Sequence, residues 1–222
     1  MPRVAGTPRA HSPEPPEKTA RGAEPFVPRT TSLRTLASAS QGCRGCDLYR
    51  HATQAVFGEG RRTARIVLVG EQPGDQEDLQ GHPFVGPAGA LLERALGEAG
   101  LSRDEVYLTN AVKHFKWEPR GKRRIHQKPR ISEIKACRPW LEAELRILKP
   151  HVVVCLGATA AQAVFGSAFK LMAQRGHLLP STASEKTLAT LHPAAVLRAP
   201  DDTARREAFH LLVEDLRTAR NA

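Results

Sequence analysis

Aromatic residues are scarce in this chain, at 5% of 222, and acids are outnumbered: 23 Asp and Glu stand against 33 Lys and Arg, a formal net charge of +10. A surplus of base on this scale points to an anionic partner, either nucleic acid or an acidic membrane surface. A spanning helix is excluded, because it needs roughly 18 or more consecutive apolar residues and the longest runs here are 66–69 and 152–156. The N-terminus lacks the apolar stretch of a signal peptide. The expected compartment is therefore the cytosol, with the bacterial nucleoid as the working place and no membrane contact. Cysteines number four. In a reducing compartment they read as metal or cluster ligands, not disulfides. Phosphate-binding loops are missing too: there is neither G-x-x-x-x-G-K-[ST] nor G-x-G-x-x-G.

What is present divides into a tail and one domain. Residues 1–28 are rich in Pro, Ala, Arg and Glu. They have too little apolar surface to offset ordering entropy, and a disordered tail is expected. Residues 29–222 are enough for a single domain. Ser32 is placed to cap a helix carrying Leu33 and Leu36. Short β-branched runs at 65–69, 105–109, 151–156 and 186–191 read as strands, separated by amphipathic stretches at 88–99, 133–148, 158–165 and 203–219. Ser132 is the expected cap of the second stretch, Gly100 the stop of the first. Alternation of this kind specifies an α/β fold: a three-layer α/β/α sandwich around a four-stranded parallel sheet. Its sites lie at the carboxyl ends of the strands. Polar clusters follow three strands: Glu71, Gln72 and Asp75 after the first, Asn110 after the second, and His192 after the last. On a parallel sheet they converge on one edge.

Between the second strand and the long helix runs a basic stretch. From 113 to 130 it holds eight Lys or Arg against one acid, with Phe115, Trp117, His114 and His126 interleaved. Such a segment attracts phosphates and offers rings to bases, although a merely solvated basic loop has the same composition. At its centre, Lys122-Arg123-Arg124-Ile125-His126 ends in an imidazole, which acts as a nucleophile when neutral.

The cysteines fall into one pattern: Cys43-x2-Cys46, ninety intervening residues, Cys137, seventeen more, then Cys155. Four thiolates suit a structural zinc or a [4Fe–4S] cluster. Spacing leaves both open; the absence of a second close pair leans toward iron–sulfur.

Gly70-Glu-Gln-Pro-Gly74, Gly81-x-Pro-Phe-Val-Gly-x-Ala-Gly89, Thr109-Asn-Ala-Val-Lys113, His192-Pro-x-x-x-Leu197 and the four cysteines together resemble the iron–sulfur (family 4) uracil-DNA glycosylases, from about residue 25 to the C-terminus. The resemblance implies the uracil-DNA glycosylase-like sandwich, a [4Fe–4S] cluster on Cys43, Cys46, Cys137 and Cys155, and excision of uracil from single-stranded or duplex DNA by a monomer. Two departures stand out. Gln72 occupies a position where ordinary members carry a small residue, and the loop ending in His126 is outside the ordinary pattern. Both resemble the UdgX class, which becomes covalently attached to uracil-DNA. By that resemblance His126 is the nucleophile at C1′. Glu71 stabilises the sugar cation or orients His126, His192 binds the departing uracil, Gln72 joins these catalytic residues while lining the pocket, and Asp75 lines the same pocket. Phe84 stacks on the flipped base, Asn110 reads its edge, and Lys122, Arg123 and Arg124 hold phosphates. The alternatives are a turning-over glycosylase that releases free uracil and a non-catalytic iron–sulfur DNA-binding module.

Overall fold

The computed structural model describes residues 22–222, so most of the expected tail, residues 1–21, lies outside the described residues. Residues 22–28 do not behave as a tail. Ala23 is buried and its amide donates to Ala136 O at 2.8 Å, while the Gly22 amide donates to Gly45 O at 3.1 Å. Phe26 and Val27 pack on the same apolar cluster as Trp140. Three apolar side chains among prolines are too few to register as a pattern, yet enough to dock on a preformed surface.

In chain order the elements are α1 Leu33–Ser40, β1 Ile66–Gly70, α2 Asp75–Gln80, α3 Pro87–Ala99, β2 Val106–Asn110, β3 Trp117–Arg120, β4 Arg123–His126, α4 Ile131–Leu148, β5 Val152–Leu156, α5 Ala158–Phe165, α6 Leu171–Gln174, β6 Thr187–Thr190, α7 Pro193–Leu197 and α8 Asp202–Arg220. Helix α1 starts as its sequence dictates, the Ser32 hydroxyl accepting the Thr35 amide at 3.2 Å. Helix α3 stops on Gly100 at φ 75°, where a side chain would be disfavoured. Helix α4 begins earlier than its expected Ser132 cap. Arg130 is the residue before it, and the Glu133 carboxylate accepts the Arg130 amide at 2.6 Å.

The four-stranded sheet has the order β2-β1-β5-β6, all neighbours parallel. Every residue of these strands is buried, as expected of a parallel sheet covered on both faces. The period of two sorts the side chains. Ile66, Leu68, Val106, Leu108, Val152, Val154 and Leu188 meet Leu92 and Leu96 of α3 and Leu212 and Leu216 of α8. Val67, Val69, Tyr107, Val153, Cys155 and Ala189 meet Leu141 of α4 and Ala160 and Val164 of α5. Each fully buried leucine contributes about 1.5–3 kcal/mol, so both helical layers are held by their sheet contacts. A third cluster surrounds Trp140, where α1, the N-terminal segment and α4 meet.

The basic stretch is not a loop. Its centre is an antiparallel hairpin, β3 paired with β4 from Trp117↔His126 to Arg120↔Arg123. The chain reverses at Gly121, at φ 60°, a left-handed turn position that glycine adopts without strain.

Candidate active site

The carboxyl ends of β1, β2, β5 and β6 open into a cleft of about 430 Å³, lined among others by Glu71, Gln72, Phe84, Asn110, His126 and His192. The volume is in the range of small-ligand sites. Gly70, the last residue of β1, makes the floor possible. A Cβ there would lie 2.2 Å from Asn110 Oδ1 and 2.7 Å from the Phe84 ring, so only glycine lets both groups approach. Asn110 is 3% exposed, and its side-chain amide makes no hydrogen bond among the described residues. Asn110 lines the cleft, so this amide is open to a ligand there. Phe84 faces the His192 ring, with centroids 6.3 Å apart and planes at 29°.

His192 Nδ1 accepts the Ala194 amide at 3.1 Å. The neutral imidazole therefore carries its proton on Nε2. Burial pushes its pKa down to about 4, against the attraction of Glu71. The ring is thus a neutral N–H donor at physiological pH.

Opposite it, His126 Nε2 lies 3.3 Å from Glu71 Oε1. Thr159, from α5, donates its hydroxyl to the other Glu71 oxygen. Burial pulls the Glu71 pKa upward, but the hydrogen bonds from His126 and Thr159 outweigh it, and the carboxyl sits below its ordinary value. An ionised carboxylate and an imidazole thus share one side of the cleft. Thr159 was not among the expected residues; its signal was its position two residues past Gly157, at the end of β5.

Gln72 lines the cleft, but its amide is already spent. Nε2 donates to Lys116 O at 3.2 Å and Gln127 O at 3.1 Å, and Oε1 accepts the Lys116 amide at 3.2 Å. It pins both ends of the hairpin that carries His126. Asp75 does not line the cleft. Its carboxylate accepts Arg124 Nε at 2.6 Å, and Arg124 Nη1 reaches Asp78 Oδ2 at 2.6 Å. Arg124 also lies over the rings of Phe115 and Trp117. The expected phosphate contact is therefore an internal anchor of the hairpin. Lys113 and Lys116 are likewise paired, with Glu144 and Glu133. Lys122 and Arg123 remain exposed and free to meet an anion.

The structure brings three of the four cysteines together. Cys43, Cys46 and Cys137 share the Trp140 cluster. Two N–H groups point at their sulfurs at 3.2 Å: Trp140 Nε1 at Cys43 and the Lys113 amide at Cys137. Such donors orient and stabilise ligating thiolates. Burial holds the free thiols high, Cys46 at about 11 and Cys137 at about 12. Cys155 is elsewhere, in mid-strand β5 and packed into the core against α4 and α5. Its neighbours in the sheet are Val69 and Ala189. The expected four-cysteine set is therefore not assembled, and among the described residues no group of three or more His, Cys, Asp or Glu forms a ready metal cage. Beside Lys113 sits His114, buried and held neutral by desolvation at a pKa of about 4. It makes no hydrogen bond among the described residues, and a neutral imidazole is a metal donor.

Residues 57–217 match the family described as the uracil DNA glycosylase superfamily. The type-4 uracil-DNA glycosylase of Thermotoga maritima is 38% identical over 194 residues, covering 87% of this chain and 95% of the relative. That of Archaeoglobus fulgidus is 39% identical over 177 residues, covering 76% and 85%. The crystal structure of wild-type Pedobacter heparinus SMUG2 has the same fold: the TM-score is 0.52 at 11% identity, covering 72% of this chain and 77% of that one.

Proposed function

The chain belongs to the uracil-DNA glycosylase superfamily, and we propose that it excises uracil from DNA in repair and is captured by the resulting sugar through His126. The observation that carries the reading is the His126–Glu71 pair at 3.3 Å, facing the neutral His192 across one cleft. Exposed Lys122 and Arg123 hold phosphates while the uracil is swung out of the stack. Phe84 stacks on the base. The free amide of Asn110 donates to one carbonyl and accepts the N–H of uracil; cytosine presents the opposite order.

As the C1′–N1 bond breaks, its electron pair leaves with uracil. His192 Nε2–H donates to the carbonyl that gains the charge, which is where a preorganised donor helps most. Glu71 stabilises the cationic C1′. The imidazole lone pair of His126 then forms an N–C1′ bond, and the ring sheds its remaining N–H proton to solvent while uracil takes one up. An alkylated imidazole is a poor leaving group, so each molecule acts once.

The same reading includes a [4Fe–4S] cluster. Cys43, Cys46 and Cys137 support it, with His114 in place of Cys155 as the fourth donor. When bound, it ties the N-terminal segment, α1 and α4 together and carries no step of the reaction.

The test is a denaturing gel with uracil-containing oligonucleotide. The parent should give a denaturation-resistant adduct. His126→Ser should lose the adduct and release uracil, because water can enter beside C1′ while His192 still stabilises the departing base. His192→Ala should slow both fates. Undiminished adduct in His126→Ser removes His126 from the mechanism. Uracil released with repeated turnover by the parent establishes an ordinary glycosylase instead, and neither product establishes a binding module.

A further inference from the structure

The ring assigned to base stacking sits on a strained turn. Phe84 has φ 56°, one of two non-glycine residues among those described with a positive value. A bulky side chain is disfavoured there, and such a conformation persists only where its surroundings over-determine it. Three contacts do so. The Arg103 guanidinium donates through Nη2 to Pro83 O at 2.8 Å and through Nη1 to Phe84 O at 3.4 Å. The Glu77 carboxylate accepts the Gly86 amide at 2.8 Å and the Gly74 amide at 3.0 Å. Gly89 lies so close beneath that a Cβ would fall 1.9 Å from Phe84 O. The turn is thus gripped through its carbonyls by a cation and through its amide by an anion.

Arg103 sits before β2, outside the cleft, with Nη1 also 3.4 Å from Glu93 Oε1. We propose that Arg103 is a positioning residue for uracil recognition, holding the Pro83–Phe84 carbonyls so that the Phe84 ring stands ready before the base arrives. Without it the turn relaxes toward ordinary φ and the ring leaves its place beside Asn110 and His192. The proposal rests on the stacking role given to Phe84 above.

The experiment is a double-mutant cycle in the full chain: parent, Arg103→Gln, Phe84→Ala and the double variant. Single-turnover adduct or uracil formation is measured on a uracil-containing single-stranded oligonucleotide. Arg103→Gln should slow the parent about 10- to 100-fold, the scale of a misplaced binding group, with affinity for uracil-free DNA unchanged. In the Phe84→Ala background the same change should have no further effect, because the two act as one unit. Arg103→Lys, which keeps one carbonyl contact, should restore part of the rate. Equal losses in both backgrounds, or none in the parent, overturn the proposal; a purely structural arginine would lower the melting temperature and give equal losses. If the parent neither cleaves nor captures uracil-DNA, the functional reading fails on its own, and hydrogen exchange decides the grip. Faster exchange at the 84–86 amides in Arg103→Gln upholds it, and unchanged exchange ends it.

Discussion

Replacing Lys113 by Met tests the least hydrated ion pair among the described residues. Lys113 is 1% exposed and Glu144 0%. Its ammonium donates to Glu144 Oε2 at 2.5 Å, Thr109 Oγ1 at 2.7 Å and Asn110 O at 2.9 Å. Methionine keeps the stem and removes the charge, leaving a buried carboxylate without its cation. Breaking such a pair costs about 3–5 kcal/mol. Glu144 keeps hydrogen bonds from the Tyr107 and Thr109 hydroxyls at 3.0 Å and from the Gly58 amide at 3.1 Å. Those bonds place the loss at the lower end, about 3 kcal/mol. For a domain of this size that is a fall in Tm of about 6–12 °C. Thermal and urea unfolding of Lys113→Met, Glu144→Met and the double variant measure it. The double variant should be more stable than either single one, since no unpaired charge remains. A Lys113→Met protein within about 1 kcal/mol of the parent, or strictly additive losses, would show that the pair is not the unit described here.

Two further outcomes are expected. Protein as isolated should be brown with about four irons per chain; Cys43→Ala, Cys46→Ala and Cys137→Ala should bleach it and Cys155→Ala should not, whereas iron loss in Cys155→Ala would restore the four-cysteine set and a colourless zinc protein would remove the cluster. His192, pushed down to about 4 from an ordinary value near 6.5, makes stability acid-sensitive: the unfolded chain binds a proton below 6.5 that the folded one refuses until about 4, so about 3 kcal/mol is lost across that window and none below it. Urea unfolding from pH 7 to 4 should be correspondingly flatter in His192→Gln, and identical slopes would contradict the buried, neutral assignment.

The sheet and its covering helices were legible because their signals are local. The central strands β1 and β5 are continuous apolar runs, and Ser32 and Gly100 mark helix ends by chemistry within one turn. Glu71, Asn110 and His192 were legible for the same reason, as polar residues at or just past strand ends, and all three line the cleft. The hairpin was missed because its strands carry no alternation; they are held by Gln72 and Arg124, through partners more than forty residues away. Charge counting also misplaced the bases of the 113–130 stretch. A sequence shows that Lys113, Lys116 and Arg124 are cationic, but not that Glu144, Glu133, Asp75 and Asp78 already neutralise them. Cys155 completed a count of four, but it shares the sheet face of Val153. The period of two makes such a residue core, whatever the number of thiols.

Gln72 and the His126 segment form one device. The amide of Gln72 has partners only because Lys116 and Gln127 flank the hairpin, and a small residue there would leave the hairpin base unheld. Arg124 fixes the same hairpin from the other side, to Asp75 and Asp78 of α2, and Asp78 also receives the Thr53 amide and hydroxyl. The Trp117 indole, bonded to His51 O at 2.8 Å, closes the third side. His126 is half exposed at its side chain, and an exposed imidazole on a free loop would sample many positions. A nucleophile must instead stand within about 3–3.5 Å of its target in the right direction, a constraint worth several orders of magnitude in rate. The anchors remove that search in advance. On the reading proposed above, grafting a histidine alone onto a chain with a small residue at position 72 would supply the imidazole without the geometry that attack on C1′ requires.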